Sequence, residues 1–106
     1  MTNPPVPHFA VIFSNQRSES DDDLYEETAI AMADLAARQP GYISHESARD
    51  PGGFGITVSY WADKDAIKAW KMNVEHLAAQ RMGLDRFYQS FTLRIAQVES
   101  FNIWNK

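Results

Sequence analysis

Residues 69–80, AWKMNVEHLAAQ, place a tryptophan, an asparagine, a histidine and a glutamine in one expected helix. The ring of Trp70 could stack on a flat aromatic substrate and limit its contact with water. The imidazole of His76 titrates near neutral pH and could take the proton of a phenol or hydroquinone. At 100° per residue, however, His76 lies about 120° around a regular helix from Trp70. The two side chains reach one cavity only if the helix breaks, for example at Asn73.

Both residues also have an ordinary structural interpretation. Trp70 shares an apolar stripe with Ile67 and Val74, which is the spacing of a core anchor. His76 follows Glu75 on a more polar side of the helix, where solvent or a second subunit would meet it. The pattern alone therefore leaves a catalytic role and a structural role open for each of them.

The sequence motifs indicate neither a metal site nor a nucleotide-binding site. His8, His45 and His76 form neither an H-x-H nor an H-E-x-x-H spacing, so no metal site is expected. The chain has no cysteine, which excludes disulfides, thiolate nucleophiles and Cys-ligated metals. It also lacks a phosphate loop and a dinucleotide fingerprint. We therefore expect no cofactor and no bound metal.

The composition is that of one globular domain. The chain has 106 residues, of which 44% are hydrophobic and 23% charged. The net charge of −4 argues against nucleic acid as a partner, because proteins that bind phosphate backbones normally present a basic patch. No apolar run approaches the roughly 18 residues of a membrane helix, and the N-terminus lacks the features of a signal peptide. A cytoplasmic protein without membrane contact is expected.

The hydrophobic pattern predicts four strands and two helices. Residues 1–7 carry three prolines and form an extended arm, and the domain proper spans residues 8–106. The expected strands are HFAVIFSN, ending at Ser14 and Asn15, then GYISHESAR, FGITVSYW and a final strand that begins at SFTLRIAQV and has a bulge near Val98. The expected helices are LYEETAIAMADLAARQ, capped by Ser20 and ended by Pro40 and Gly41, and a second helix capped by Asp63.

The element order β-α-β-β-α-β is that of the ferredoxin-like α+β fold, an antiparallel sheet with both helices on one face. The first strand is apolar on both sides, with Phe9, Val11 and Phe13 on one and Ala10 and Ile12 on the other. The side of the sheet without helices therefore needs a second cover, and another copy of the same sheet would provide it. A homodimer is the expected assembly.

Three pieces of the sequence resemble the antibiotic biosynthesis monooxygenase family. They are QPGY after the first helix, SYW followed by DKDAIKAWK, and EHLAAQRMG with FY shortly after it. The resemblance covers nearly all of the chain beyond the proline arm and implies a dimeric α+β barrel. It also implies a monooxygenase that oxidises a small aromatic or quinol-type substrate with O2 and without a cofactor.

The same resemblance suggests which residues act. Heme-degrading members use an Asn on the first strand, a Trp on the second helix and a His ten residues after that Trp. Asn15 and Trp70 match the first two positions, but Gln80 stands where the heme-ligating His would be, and Gln is a poor axial ligand. Asn15 otherwise caps or turns the chain; with a catalytic role its amide would hydrogen-bond a phenolate or a peroxy intermediate.

The expected catalytic residues are therefore Asn15, Trp70 and His76. The expected substrate contacts are Phe13, Tyr60, Gln80 and Arg94. Two alternatives remain open, a heme-binding or heme-degrading protein and a small-molecule binding or stress-response module without turnover. All three share the fold and differ in what happens in the pocket.

Overall fold

The computed structural model describes residues 4–19, 22–80 and 87–106, and within the second helix it describes side chains as far as Asn73. The two helices are α1 (Asp22–Ala37) and α2 (Lys64–Gln80). The strands are β1 (His8–Arg17), β2 (Tyr42–Arg49), β3 (Phe54–Trp61) and β4 (Tyr88–Val98). Among the described residues, no helix is long and apolar enough to cross a bilayer.

The four strands form one antiparallel sheet in the order β2-β3-β1-β4. Strand β1 lies in the interior of the sheet, as expected, with β3 on one edge and β4 on the other. This order, together with two helices, confirms the ferredoxin-like α+β fold expected from the sequence. Because facing residues on paired antiparallel strands share a side of the sheet, the register assigns every strand residue to one face.

One face of the sheet carries the core under the helices. Val11 and Trp61 pack there against Ala36 of α1 and Ala66 and Ile67 of α2. Phe9, Tyr42 and Trp70 lie around this cluster and are partly buried. We call this side the helix-facing side of the sheet. Burial of these apolar groups is the main source of stability for a domain of this size.

The first turn of α2 is fixed by a side-chain cap, as the sequence indicated. The backbone N–H of Ala66 donates to Oδ1 of Asp63 over 2.7 Å. The preceding turn holds Gly41 at a φ of 86°, and a Cβ atom on that glycine would lie 2.7 Å from the Cβ of Ala66. The helix start therefore packs directly on this glycine.

Two details of the strands differ from expectation. Strand β1 continues beyond Asn15 to Arg17, because β3 and β4 pair with it along that length. The sequence predicted a bulge near Val98, but Val98 pairs regularly with His8. The register between β1 and β4 shifts instead between Gln16 and Arg17, at the other end of the two strands. There Arg17 pairs with Tyr88 while Gln89 is the extra residue, which turns Tyr88 to the helix-facing side.

The other side of the sheet is apolar and carries no helix. Phe54 and Ile56 of β3 are exposed there, and Val58, Tyr60 and Ile12 are half-buried beside them. A contiguous row of exposed apolar side chains is a feature of surfaces that bind a protein, a membrane or a ligand.

Candidate functional site

The helix-facing side of the sheet has an uncovered apolar floor on β4. Phe91, Leu93 and Ile95 are 48%, 44% and 52% exposed, although all three point to the side that carries the helices. Their partners on β1 are Asn15, Phe13 and Val11 in the same order. The edge strand therefore extends the core surface beyond the helices, and a flat apolar molecule can rest on it.

Asn15 lies at one end of this floor and is almost completely buried, with 2% of its surface exposed. Its Nδ2 donates to the carbonyl oxygen of Phe13 over 3.4 Å, which is a long hydrogen bond. Its Oδ1 has no hydrogen-bond partner. A buried acceptor without a partner costs about 1–3 kcal/mol, so this amide is an unfavourable group to hold beside an apolar surface.

The local structure around Asn15 follows from its strand position. Its cross-strand neighbours are Gly55 on β3 and Phe91 on β4. Gly55 has no side chain, and the guanidinium of Arg49 occupies that space: a Cβ atom there would lie 2.7 Å from the Arg49 Cζ. Asn15 is thus bordered by an arginine on one side and an aromatic ring on the other.

Aromatic rings surround the end of the floor at which Asn15 lies. The ring centroid of Phe13 is 5.3 Å from that of Tyr88 and 5.4 Å from that of Phe91. Tyr88 in turn lies 5.8 Å from Tyr25 of α1. Edge-to-face packing of this kind holds rings in defined orientations, so the cluster can position another aromatic ring beside it.

Two arginines support this cluster. The guanidinium of Arg17 lies 3.8 Å from the centroid of the Tyr25 ring, and Arg17 also donates to the carbonyl oxygen of Phe87. Arg49 donates from Nη2 to the Tyr25 hydroxyl over 2.8 Å. Burial raises the pKa of Tyr88 well above its usual range, and the neighbouring Tyr25 raises it further. Tyr88 therefore stays protonated at any physiological pH.

Trp70 belongs to the core at the other end of the sheet. Its ring stacks on the fully buried ring of Trp61 with centroids 5.9 Å apart and an interplanar angle of 25°. Trp61 pairs with Phe9, six residues along β1 from Asn15. The described contacts of Trp70 are thus those of a core residue, and none of them joins it to Asn15.

The remaining expected site residues fall into two groups. Tyr60 and Arg94 lie on the helix-free side of the sheet, where the Tyr60 hydroxyl donates to Oε1 of Glu46 over 2.9 Å and Arg94 pairs with Ile12. The structure therefore does not bring them together with Phe13 and Asn15. His76 and Gln80 are within α2, but their side chains lie outside the described residues.

Tyr88, beside the floor, was missed as a site candidate. The sequence predicts the final strand only from Ser90 onward, whereas Tyr88 already pairs with Arg17 and the bulge at Gln89 turns it to the helix-facing side.

A cavity of about 390 Å³ opens between the first turn of α2 and the end of the floor at which Ile95 lies. Its described lining consists of Phe9, Lys64, Ile67, Ile95, Ala96 and Gln97. Across residues 4–19, 22–80 and 87–106, no group of three or more His, Asp or Glu side chains could hold a metal ion.

Comparisons with known proteins agree with this architecture. Residues 7–82 match the family described as antibiotic biosynthesis monooxygenase. The uncharacterized protein YqjZ of Bacillus subtilis is 48% identical over 96 residues, covering 91% of this chain and 83% of that protein. The jasmonate monooxygenase ABM of Pyricularia oryzae is 30% identical over 93 residues; these are 85% of this chain and 43% of that longer protein.

Solved structures share the fold at low sequence identity. Protein SO0527 of Shewanella oneidensis has a TM-score of 0.70 at 15% identity, with 91% of this chain and 95% of that chain covered. SnoaB, a cofactor-independent oxygenase of Streptomyces nogalater, has a TM-score of 0.66 at 14% identity, with 95% and 100% covered. At such identity the likeness is one of fold.

Proposed function

Because the chain belongs to the antibiotic biosynthesis monooxygenase family, we propose that it oxidises a small aromatic or quinol-type molecule with O2 and without a cofactor. The observation that carries the proposal is the buried amide of Asn15, whose Oδ1 has no partner and which borders an open apolar floor. A relative that is a monooxygenase and a fold neighbour that is a cofactor-independent oxygenase support the reaction class.

The reaction takes its electrons from the substrate. A phenol loses its hydroxyl proton to a base, and the resulting phenolate transfers an electron to O2. Recombination forms a carbon–oxygen bond at the ring carbon para to the phenol oxygen and gives a hydroperoxide. Loss of water from it leaves a carbonyl, so that a phenol and O2 become a quinone and water. No external reductant is needed, so the proposed reaction requires no redox cofactor.

The described residues would supply binding and polarity to this reaction. Phe91 and Leu93 carry the substrate ring, and Phe13 and Tyr88 fix its edge. The Oδ1 of Asn15 accepts a hydrogen bond from the phenol or hydroperoxide hydroxyl, and the amide nitrogen can donate to an oxyanion. His76 is the proposed base, while Trp70 and Gln80 remain proposed contacts from the sequence.

Oxygen consumption with a panel of phenols and hydroquinones tests the proposal. Asn15→Ala should lower turnover by about 10²-fold, the usual loss on removal of a polar group that stabilises a developing charge. Ser14→Ala is the matched control, because Ser14 is the next residue on β1 and points to the other side of the sheet. If turnover is unchanged in Asn15→Ala, Trp70→Ala and His76→Ala, the site is elsewhere.

The same assay separates the non-catalytic alternative. A protein that binds the panel compounds but consumes no O2 with any of them is a small-molecule binding module. Product analysis adds a second criterion, since the proposed reaction of a phenol with hydrogen on its para carbon incorporates one atom of isotopically labelled O2 into the quinone. Incorporation from labelled water instead would contradict it.

We infer further that the protein acts as a homodimer through the helix-free side of the sheet. The exposed Phe54 and Ile56 and the half-buried Val58 form a row that a second copy of the sheet would cover. Ile56→Glu places a charge in that row and should yield monomers in analytical ultracentrifugation. A wild-type protein that sediments as a monomer would contradict the inference.

A further inference from the structure

The cavity between α2 and β4 combines an apolar lining with one positive charge. Phe9, Ile67 and Ile95 supply the apolar part of the lining. Among the described residues that line the cavity, Lys64 is the one with a charged side chain, and Gln97 adds an amide that can donate a hydrogen bond. Both polar groups lie at the end of the floor opposite Asn15, because Gln97 pairs with Phe9 at the start of β1.

The side chain of Lys64 extends over the cavity floor. Its ammonium lies 5.6 Å from the ring centroid of Phe9. Within the described part of the chain, no carboxylate forms an ion pair with it. The carboxylate of Asp63 instead accepts the cap hydrogen bond from Ala66, and Asp65 lies about 160° around the helix from Ile67. Lys64 therefore forms no ion pair with the aspartates on either side of it in the described part of the chain.

The apolar floor links this charge to Asn15. From Gln97 the helix-facing residues of β4 are Ile95, Leu93 and Phe91, all about half exposed. Gln97 and Phe91 are six positions apart along the strand, a span of roughly 20 Å. A polar amide thus lies at one end of the floor and a cation at the other, with apolar surface between them.

We propose that this groove takes an elongated anionic amphiphile, whose carboxylate is bound by Lys64 and Gln97 and whose apolar body lies along Ile95 and Leu93. A cation over an apolar surface binds a carboxylate with a charge-assisted hydrogen bond while the floor removes the hydrocarbon from water. The proposal rests on the proposed function in one respect: the oxidised ring is the end of the molecule that reaches Asn15.

Calorimetric titration without any turnover tests the binding mode. The probes are phenylhexanoate and its uncharged amide, which have the same length and the same ring. The carboxylate should bind about tenfold more tightly than the amide, the effect of a hydrogen bond to a charged group. Raised salt should reduce that preference because Lys64 is exposed.

Two variants with the same change of charge locate the effect. Lys64→Met keeps the apolar stem and removes the ammonium, so the carboxylate and the amide should bind equally. Lys68→Met is the control: Lys68 is one turn further along α2, is exposed and is not in the described lining. It should retain the full preference, and both variants should unfold at the temperature of the wild type.

Equal binding of the two probes to the wild type overturns the proposal, and so does a preference that survives in Lys64→Met or disappears in Lys68→Met. These outcomes are separate from those of the oxygen assay. A carboxylate preference without O2 consumption leaves the anion site in place and removes the monooxygenase. Turnover of quinols without a carboxylate preference would support the monooxygenase and rule out the anion site.

Discussion

Asn15 and Phe91 are cross-strand partners on the helix-facing side of the sheet, yet Asn15 is 2% exposed and Phe91 is 48% exposed. Side chains that face each other in this way have Cβ atoms about 4.5–5.5 Å apart. A molecule that covers the Phe91 ring therefore comes within reach of the Asn15 amide. The pairing sets a buried polar side chain beside an exposed apolar one, and such an arrangement suits the binding of an aromatic compound with a polar group.

Asn15→Leu should separate stability from activity. Leucine has a similar volume and removes the unpartnered acceptor, so the free energy of unfolding should rise by about 1 kcal/mol. Turnover of a quinol should fall by about 10²-fold, because the polar group for the developing charge is gone. Urea denaturation and oxygen consumption measure the two effects.

Thr28→Val is the matched control for that experiment, since Thr28 is equally buried and its hydroxyl also has no partner. It should be stabilising to a similar extent while turnover stays within about twofold of the wild type. A loss of turnover in Thr28→Val equal to that in Asn15→Leu would contradict a specific role for the amide.

Stability should fall as the pH rises above about 10, and Tyr88 should account for much of the fall. Burial raises the pKa of Tyr88 from its usual value of 10.0, and the neighbouring Tyr25 adds to the shift. Above pH 10 the unfolded chain loses this proton while the folded chain keeps it, so the unfolded state is favoured. Below that pH both states are protonated and the group contributes no pH dependence.

Urea denaturation between neutral and alkaline pH checks this expectation with Tyr88→Phe, which should show a shallower loss of stability. Tyr60→Phe serves as the comparison, because burial and Glu46 also raise the pKa of Tyr60, but it lies on the helix-free side and is less enclosed. An identical pH slope in wild type and Tyr88→Phe would show that the buried phenol is not responsible.

Gly41→Ala should destabilise the fold by about 1–3 kcal/mol, because its φ of 86° is unfavourable for a side chain and the added Cβ would meet Ala66 at 2.7 Å. Gly52→Ala is the control, since its added Cβ would meet Asp50 Oδ1 at 3.4 Å, an ordinary contact. Thermal unfolding of both variants measures the difference. Equal melting temperatures would contradict the close packing of α2 on this turn.

Hemin titration should give no Soret shift of the kind that an imidazole ligand produces, because the sequence resemblance implies that Gln80 stands where heme-degrading proteins have their ligating His, and Gln is a poor axial ligand. Gln80→His supplies the missing ligand and should increase hemin affinity if the cavity admits the macrocycle. A wild-type protein with a Soret band like that of a His-ligated heme would revive the heme alternative.

Strand and helix positions could be predicted from the sequence because their apolar periodicities are strong. The alternation in FGITVSYW predicts that Phe54, Ile56 and Tyr60 share one side of β3, and the register agrees. Asp63 was expected to cap α2 and does so. These features depend on neighbours within a few residues, which is the range that a local pattern covers.

The neighbourhood of Asn15 could not be predicted in the same way. It depends on which residue of β4 faces which residue of β1, and the bulge at Gln89 changes that for Tyr88. A shift of one residue transfers a side chain to the other side of a sheet, and nothing in the local sequence fixes it. Arg94 and Tyr60 were expected to contact the substrate, whereas both lie on the other side of the sheet from Asn15.

The central place of β1 also bears on how such a protein can change over evolutionary time. Asn15 is carried by a strand that is hydrogen-bonded on both edges, the part of a sheet that opens least often. The cation at the other end of the floor belongs to the first turn of a surface helix, where a substitution disturbs few neighbours. Selection could therefore exchange the group that recognises a substrate while the group proposed to act on it stays fixed.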